Sequence, residues 1–202
     1  MGNEIYEGYD RVSAILETYQ DPKLIAWKVL KGKKEANRIS KEATNIGSNV
    51  DEYIKAEIQG LKLPKLKTQE AENCVRAWEK WKEDYGVQVP NLAIGRRLFN
   101  EETKVCGEPD IYYPDQDLVI DIKCSSSIRQ NYWLQTEWYA RNIGFNNRGI
   151  LRLCKNLAVY EYEVRPTSDE DSMIFKCLTV IYRYFKPQKE TEDEPSSIAS
   201  ES

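Results

Sequence analysis

The stretch Gly107-Glu-Pro-Asp110, followed after one turn by Ile120-Asp121-Ile122-Lys123, constrains this chain more than any other part of it. It sets carboxylates and a lysine where apolar residues would be expected. Asp110-Ile-Tyr-Tyr113 and Leu118-Val-Ile-Asp121 read as the arms of a β-hairpin, joined by the turn-forming run Pro114-Asp-Gln-Asp117. If those turn residues form the loop, Tyr113 faces Leu118. Counting back pairs Tyr112 with Val119, Ile111 with Ile120 and Asp110 with Asp121. Directly opposed residues have Cβ atoms roughly 4.5 to 5.5 Å apart, so like charges meet across the ladder.

Such a pair weakens a sheet unless a proton or a cation separates the charges, and a hard divalent ion with oxygen ligands does so. Side chains alternate along a strand, so Leu118, Ile120 and Ile122 point to one face while Val119, Asp121 and Lys123 point to the other. The acid and the lysine therefore share a face. A cation there polarises a phosphate and lowers the pKa of a water, while Lys123 holds the nucleophile or neutralises developing charge. The residues point to a metal-dependent phosphodiesterase site. The plain alternative is a surface hairpin whose Asp121 and Lys123 pair in solvent.

A chain of 202 residues with 41% hydrophobic content can bury one sizeable core. We expect a single domain over 1–187, mainly helical through 86 and sheet-containing from 87, with 188–202 as a disordered acidic tail. No apolar run approaches the roughly 20 residues that span a bilayer, and the acidic start lacks a signal-peptide pattern. The expected protein is soluble and intracellular. Its five cysteines are dispersed and odd in number, which argues against a disulfide framework or a zinc site. Histidine is absent, which excludes histidine triads and a histidine general base. The formal charge of −4 matches the tail, where residues 188–202 hold five acids and one lysine. The body is left near neutral, with room for basic patches.

Periodicity predicts helices over 5–19, 24–31, 34–59 and 69–85, the second capped by Asp21-Pro22. In the third, Ile39, Ala43, Ile46, Val50, Ile54 and Ile58 form one buried stripe. Trp78 and Trp81 anchor the fourth to the core. Strands are expected at 93–100, 103–106 and in both hairpin arms, then a helix at 131–142, strands at 149–155 and 157–164, and a closing helix at 171–185.

The order Gly107-x-x-Asp110, Asp121-x-Lys123 and then Gln135-x-x-x-Tyr139 resembles the PD-(D/E)XK nuclease superfamily, specifically its RecB-like exonuclease branch. In that branch a Gln-x-x-x-Tyr helix follows the D-x-K strand, and here it reads Tyr132-Trp-Leu-Gln135-Thr-Glu-Trp-Tyr139. The spacing places Gln135 and Tyr139 on one helix face, able to touch a DNA backbone or steady metal ligands. The branch also has an upstream helix with a glycine and, four residues on, a metal-binding histidine. This chain reads Gly47-Ser-Asn-Val-Asp51-Glu52, with aspartate in the histidine position. The resemblance spans roughly residues 47–164, and the N-terminal helices are similar to those of phage and mitochondrial genome-maintenance exonucleases.

The resemblance implies an α/β, restriction-endonuclease-like core with a central mixed sheet flanked by helices, plus an N-terminal helical elaboration. It implies DNA as substrate, products with 5′-phosphates and 3′-hydroxyls, and a role in recombination, repair or replication, with a protein partner from those processes. A phage-encoded protein would act in the bacterial cytoplasm. The expected ion is Mg²⁺ or Mn²⁺, held by Asp110, Asp121 and the Ile122 carbonyl, with Asp51 or Glu52 completing the set and Lys123 as electrostatic partner. No iron–sulfur cluster is expected, because no cysteine precedes Gly47 and only Cys154 and Cys177 follow Tyr139. From the residues alone, Lys28, Lys31, Lys33, Lys34, Arg38 and Lys41 form the best phosphate-binding run, extended by Arg129, Arg141, Arg148 and Arg152. Two other readings stay open: an endonuclease on the same site, and a binding module that keeps the fold without turnover.

Overall fold

The computed structural model describes residues 8–186. The chain opens with the short strand β1 (Asp10–Arg11) and helix α1 (Val12–Leu16), followed by helices α2 (Pro22–Lys31), α3 (Lys33–Ile58) and α4 (Gln69–Asp84). Next come the strands β2 (Ala93–Ile94), β3 (Leu98–Asn100), β4 (Val105–Gly107), β5 (Ile111–Tyr113) and β6 (Leu118–Lys123). Helix α5 (Gln130–Ile143) crosses to β7 (Asn147–Leu153), and β8 (Tyr160–Pro166) and α6 (Asp169–Phe185) follow. The helix starts have local causes. Asp21 accepts from Lys23 N–H ahead of Pro22, Thr68 accepts from Ala71 N–H, and Ser168 accepts from Asp171 N–H.

The main sheet has the order β2-β5-β6-β7-β8, and a smaller sheet has the order β1-β4-β3. In the main sheet only β6 and β7 run parallel, as a strand–helix–strand crossover through α5 requires. The hairpin has the register counted from its turn, with Ile111 opposite Ile120, Tyr112 opposite Val119 and Tyr113 opposite Leu118. Asp117 closes the loop in the left-handed region at φ 53°, and its carboxylate accepts from both the backbone and side-chain amides of Asn146. That contact sets the start of β7 beside the loop.

Alternation on β6 builds two cores. Leu118 and Ile120 face α3 and α4, packing with Val50, Ile54, Trp78 and Trp81. Val119 faces the opposite layer, where Leu134, Trp138 and Tyr139 of α5 meet Phe175 of α6. Trp78 and Trp81 stack at 5.1 Å and are fully buried. Each large side chain so enclosed contributes roughly 1.5 to 3 kcal/mol by burial. The architecture is the expected mixed sheet flanked by helices, with further helices ahead of it.

Two expectations are corrected. The predicted helix over 5–19 shrinks to α1, because Asp10 and Arg11 pair as a parallel strand with Val105 and Cys106 and the Asp10 carboxylate is held by Arg183 and Lys186. Its beginning at Ile5 lies outside the described residues, as does the tail over 188–202. The predicted strand over 93–100 is two strands in different sheets, broken at Gly95. A Cβ at Gly95 would lie 1.8 Å from the Pro109 carbonyl oxygen, so backbone meets backbone there and the strand must leave the sheet.

Candidate active site

The hairpin register carries Asp110 and Asp121 to adjacent positions at the end of the β5–β6 pairing. Asp110 is positioned from two sides: its Oδ2 accepts from Ile122 N–H at 2.6 Å, and its carbonyl accepts from Gly95 N–H at 3.0 Å. Asp121 is 1% exposed, and Lys123 Nζ lies 2.6 Å from its Oδ2. Lys123 also sits 5.2 Å above the Tyr132 ring.

The electrostatics follow from this crowding. Burial, then the nearby Asp121 charge, push Asp110 up to about 7, against the opposing pull of Lys123 and the Ile122 N–H. Burial also raises Asp121, partly offset by Lys123. For Lys123, burial disfavours the charge, but Asp121 and Asp110 outweigh it and lift the ammonium above the ordinary lysine range. Two crowded carboxylates with raised proton affinity are what a hard cation relieves, and such oxygen donors suit Mg²⁺ or Mn²⁺. The fit is of a sparse set. Among the described residues no three Asp, Glu, Cys or His side chains gather to hold a metal. Mg²⁺ characteristically keeps several waters and needs few protein ligands.

Asp110 and Lys123 open onto a cleft of about 1140 Å³, whereas Asp121 does not line it. Asp110, Ile122 and Lys123 line it together with Gly47 and Asp51 of α3, Arg129 and Tyr132, and Arg152. Asp51 is therefore on the site, although it pairs with Lys55 at 3.0 Å. Glu52 is exposed and does not line the cleft. The first half of the α3 stripe, Ile39 and Ala43, also faces the cleft, while Val50 and Ile54 continue it into the core.

Gln135 and Tyr139 stand behind the site. Gln135 Nε2 donates to the Tyr139 hydroxyl at 3.0 Å, and Tyr139 is 3% exposed. Neither lines the cleft. Burial and the Asp121 charge raise the Tyr139 pKa, which places its hydroxyl within the electrostatic reach of that carboxylate. Tyr139 is therefore placed beside the acids rather than on the cleft surface. Gly107 packs against it, since a Cβ there would meet the Tyr139 ring at 2.7 Å.

The basic residues divide differently from the expectation. Lys31, Lys33, Lys34 and Arg38 do not line the cleft, and Arg38 is bound by Glu35 and Glu42. Arg129 does line it, joined by Lys23, Lys28, Arg152 and Lys155. Arg141 and Arg148 are structural: Arg148 is 2% exposed and pairs with Glu137 and Asp171, while Arg141 pairs with Glu137 and Asp169. Gly95 went unread in the sequence, as did the apolar part of the cleft-facing side of α2, Leu24 and Trp27, where only Lys28 was read. The Asp21-Pro22 cap followed by Leu24, Trp27 and Lys28 at helical spacing was the available signal for the latter.

No family model and no curated protein sequence matches this chain. Solved structures do match its fold. The alkaline exonuclease LHK-Exo from Laribacter hongkongensis is similar at a TM-score of 0.51 and 12% identity, over 88% of this chain and 87% of that one. Its complex with dAMP gives a TM-score of 0.51 at 12% identity, over 89% and 88% of the chains. A phage-related exonuclease from Haemophilus somnus 129PT is similar at a TM-score of 0.41 and 17% identity, over 68% of this chain and 78% of that one. At such identities the likeness is one of fold. The chain has the α/β fold of the alkaline exonuclease LHK-Exo.

Proposed function

We propose that this protein is a metal-dependent deoxyribonuclease, acting as an exonuclease on DNA in recombination, repair or replication. The observation that carries the reading is Asp121, a carboxylate 1% exposed and paired with Lys123 at 2.6 Å, next to Asp110, with Asp110 and Lys123 lining an open cleft. Charge of this kind inside a fold is costly unless it is used. The likeness to LHK-Exo, including its complex with a deoxynucleotide, supports DNA over other phosphodiesters.

Asp110, Asp121 and the Ile122 carbonyl are the residues to hold Mg²⁺ or Mn²⁺, with Asp51 as a further oxygen donor on the cleft wall. A divalent ion held by these residues would supply charge neutralisation at the phosphate and a lowered pKa for a water. Lys123, kept protonated by both acids, holds the attacking water or balances negative charge on the phosphate. Tyr139 and Gln135 restrain Asp121 from behind. Arg129, Lys28 and Lys155 contact flanking phosphates, a sequence-independent grip that weakens with salt. The products carry 5′-phosphates and 3′-hydroxyls.

The test is incubation of the protein and its Lys123→Ala variant with linear and closed circular DNA, single- and double-stranded, in Mg²⁺, Mn²⁺ or chelator. Metal-dependent loss of linear DNA alone, absent in the variant, is expected. Cutting of circles would convert the reading to an endonuclease. Binding without degradation under every condition would leave a binding module.

A further inference from the structure

We propose that α2 is a clamp for single-stranded DNA, with Trp27 as its base-stacking platform and Lys28 as its phosphate contact. The proposal rests on the nucleic-acid reading above and adds the form of strand that the site admits.

The chain has five tryptophans. Trp78, Trp81, Trp133 and Trp138 are at most 7% exposed; Trp78, Trp81 and Trp138 serve the two cores, and Trp133 packs beneath the Arg148 and Arg165 guanidinium groups. Trp27 does neither. It lies on α2, a helix with no buried residue, which packs against α3 and ends at Gly32 with φ 74°. Trp27 is half-buried on a helix with no fully buried residue, so a large part of its ring is presented to the cleft rather than to a core.

Its direction is defined. Leu24, Trp27 and Lys28 stand at i, i+3 and i+4, so they share one face, and all three line the cleft that holds Asp110 and Lys123. The opposite side of α2 is solvent-facing, with Val29 76% and Leu30 85% exposed. The helix is thus one wall of the cleft, and β6 and α5 supply the other. On that other wall the Tyr132 ring is already engaged beneath the Lys123 ammonium, which leaves Trp27 as the unclaimed aromatic surface.

An aromatic plane beside lysines and a phosphodiesterase site is the chemistry of single-strand binding. Stacking on a base is sequence-tolerant because every base has a π-face, and lysines track the backbone. A base inside a duplex has both faces occupied by its neighbours, so Trp27 can take one only from an unpaired end. The clamp therefore selects for a single-stranded terminus and tolerates any sequence.

The experiment uses the full chain in chelator, with a fluorescein-labelled oligothymidylate and a blunt duplex of equal length. Binding is read by anisotropy and by quenching of tryptophan emission, for the wild type, Trp27→Ala and Trp27→Tyr. The single strand is expected to bind more tightly than the duplex and to quench emission. Trp27→Ala is expected to weaken single-strand binding roughly 10- to 100-fold and to abolish the quench, with an unchanged melting midpoint, and Trp27→Tyr to restore most of the affinity. Equal binding of Trp27→Ala and wild type, or of duplex and single strand, overturns the proposal. A separate arm adds Mg²⁺ or Mn²⁺ to the wild type. If the oligonucleotide then stays intact while Trp27→Ala still loses binding, the nuclease reading fails and the clamp stands.

Discussion

Replacing Asp110 by asparagine should stabilise the metal-free protein while removing its activity. In the free protein Asp110 is pushed from an ordinary 3.8 to about 7 by burial and by Asp121. A displacement of that size corresponds to about 4 kcal/mol of stability lost once the group is ionised. Solvent entering through the cleft reduces the loss, so we expect a gain of ~1 to 3 kcal/mol for Asp110→Asn at pH 8. For a chain of this length each 1 kcal/mol moves the melting midpoint by about 2 to 4 °C. The asparagine oxygen can keep the bond from Ile122 N–H, so little packing is lost. The sign with pH is definite. Below about pH 4 the carboxyl is protonated in the folded and unfolded chain alike, and the variant has no advantage. Between about pH 4 and 7 the folded chain retains a proton that the unfolded chain releases, so wild-type stability falls as pH rises and the advantage of Asp110→Asn grows. Urea unfolding in chelator at pH 4.5 and pH 8 measures this directly. Addition of Mg²⁺ at pH 8 should then stabilise the wild type more than the variant. A variant no more stable than wild type at pH 8, or an advantage independent of pH, would refute the reasoning.

Gly95→Ala should damage the site without touching an acid: its Cβ would collide with the Pro109 carbonyl, displacing the Asp110 backbone that Gly95 N–H holds. We expect destabilisation by ~2 to 4 kcal/mol and weaker Mn²⁺ binding by titration calorimetry, whereas intact Mn²⁺ affinity would show that Asp110 does not depend on this contact. Glu137→Gln should cost about 3 kcal/mol in urea unfolding, since the buried Arg148 loses one of its carboxylate partners and keeps Asp171. Trp81→Ala should cost ~3 to 5 kcal/mol, because Trp81 is fully enclosed against Trp78 and Tyr162; a loss below about 1 kcal/mol would mean that this core is loosely packed.

The parts of the fold legible in the sequence are those specified locally. Pro114 to Asp117 between apolar arms determines the hairpin register, and with it the meeting of Asp110 and Asp121. Asp21-Pro22 marks a helix start by its own capping bond, whereas the Ser168 cap, which starts the closing helix at Asp169 rather than 171, went unread. What else was missed is tertiary in origin. Nothing near Gly95 in the chain announces the Pro109 carbonyl against which it packs. Asp10 and Arg11 look helical until Val105 and Cys106 offer a parallel partner.

Charge was the least legible property of the site. Arg148 and Arg38 read equally well as phosphate contacts, yet Arg148 is enclosed by Glu137 and Asp171 and Arg38 is bound by two glutamates on its own helix. A cation's availability depends on which acids the fold brings to it. The order of Asp110, Asp121, Lys123, Gln135 and Tyr139 was visible, but not that Tyr139 would lie behind the acids rather than in the cleft.

The most direct test of the account is DNA hydrolysis in ¹⁸O-water with Mg²⁺, with the mononucleotide products read by mass spectrometry for the wild type and Asp121→Asn. The account predicts one ¹⁸O atom in the 5′-phosphate of wild-type products and no products from the variant. Equal product from Asp121→Asn, or wild-type products bearing the label on a 3′-phosphate, would contradict it.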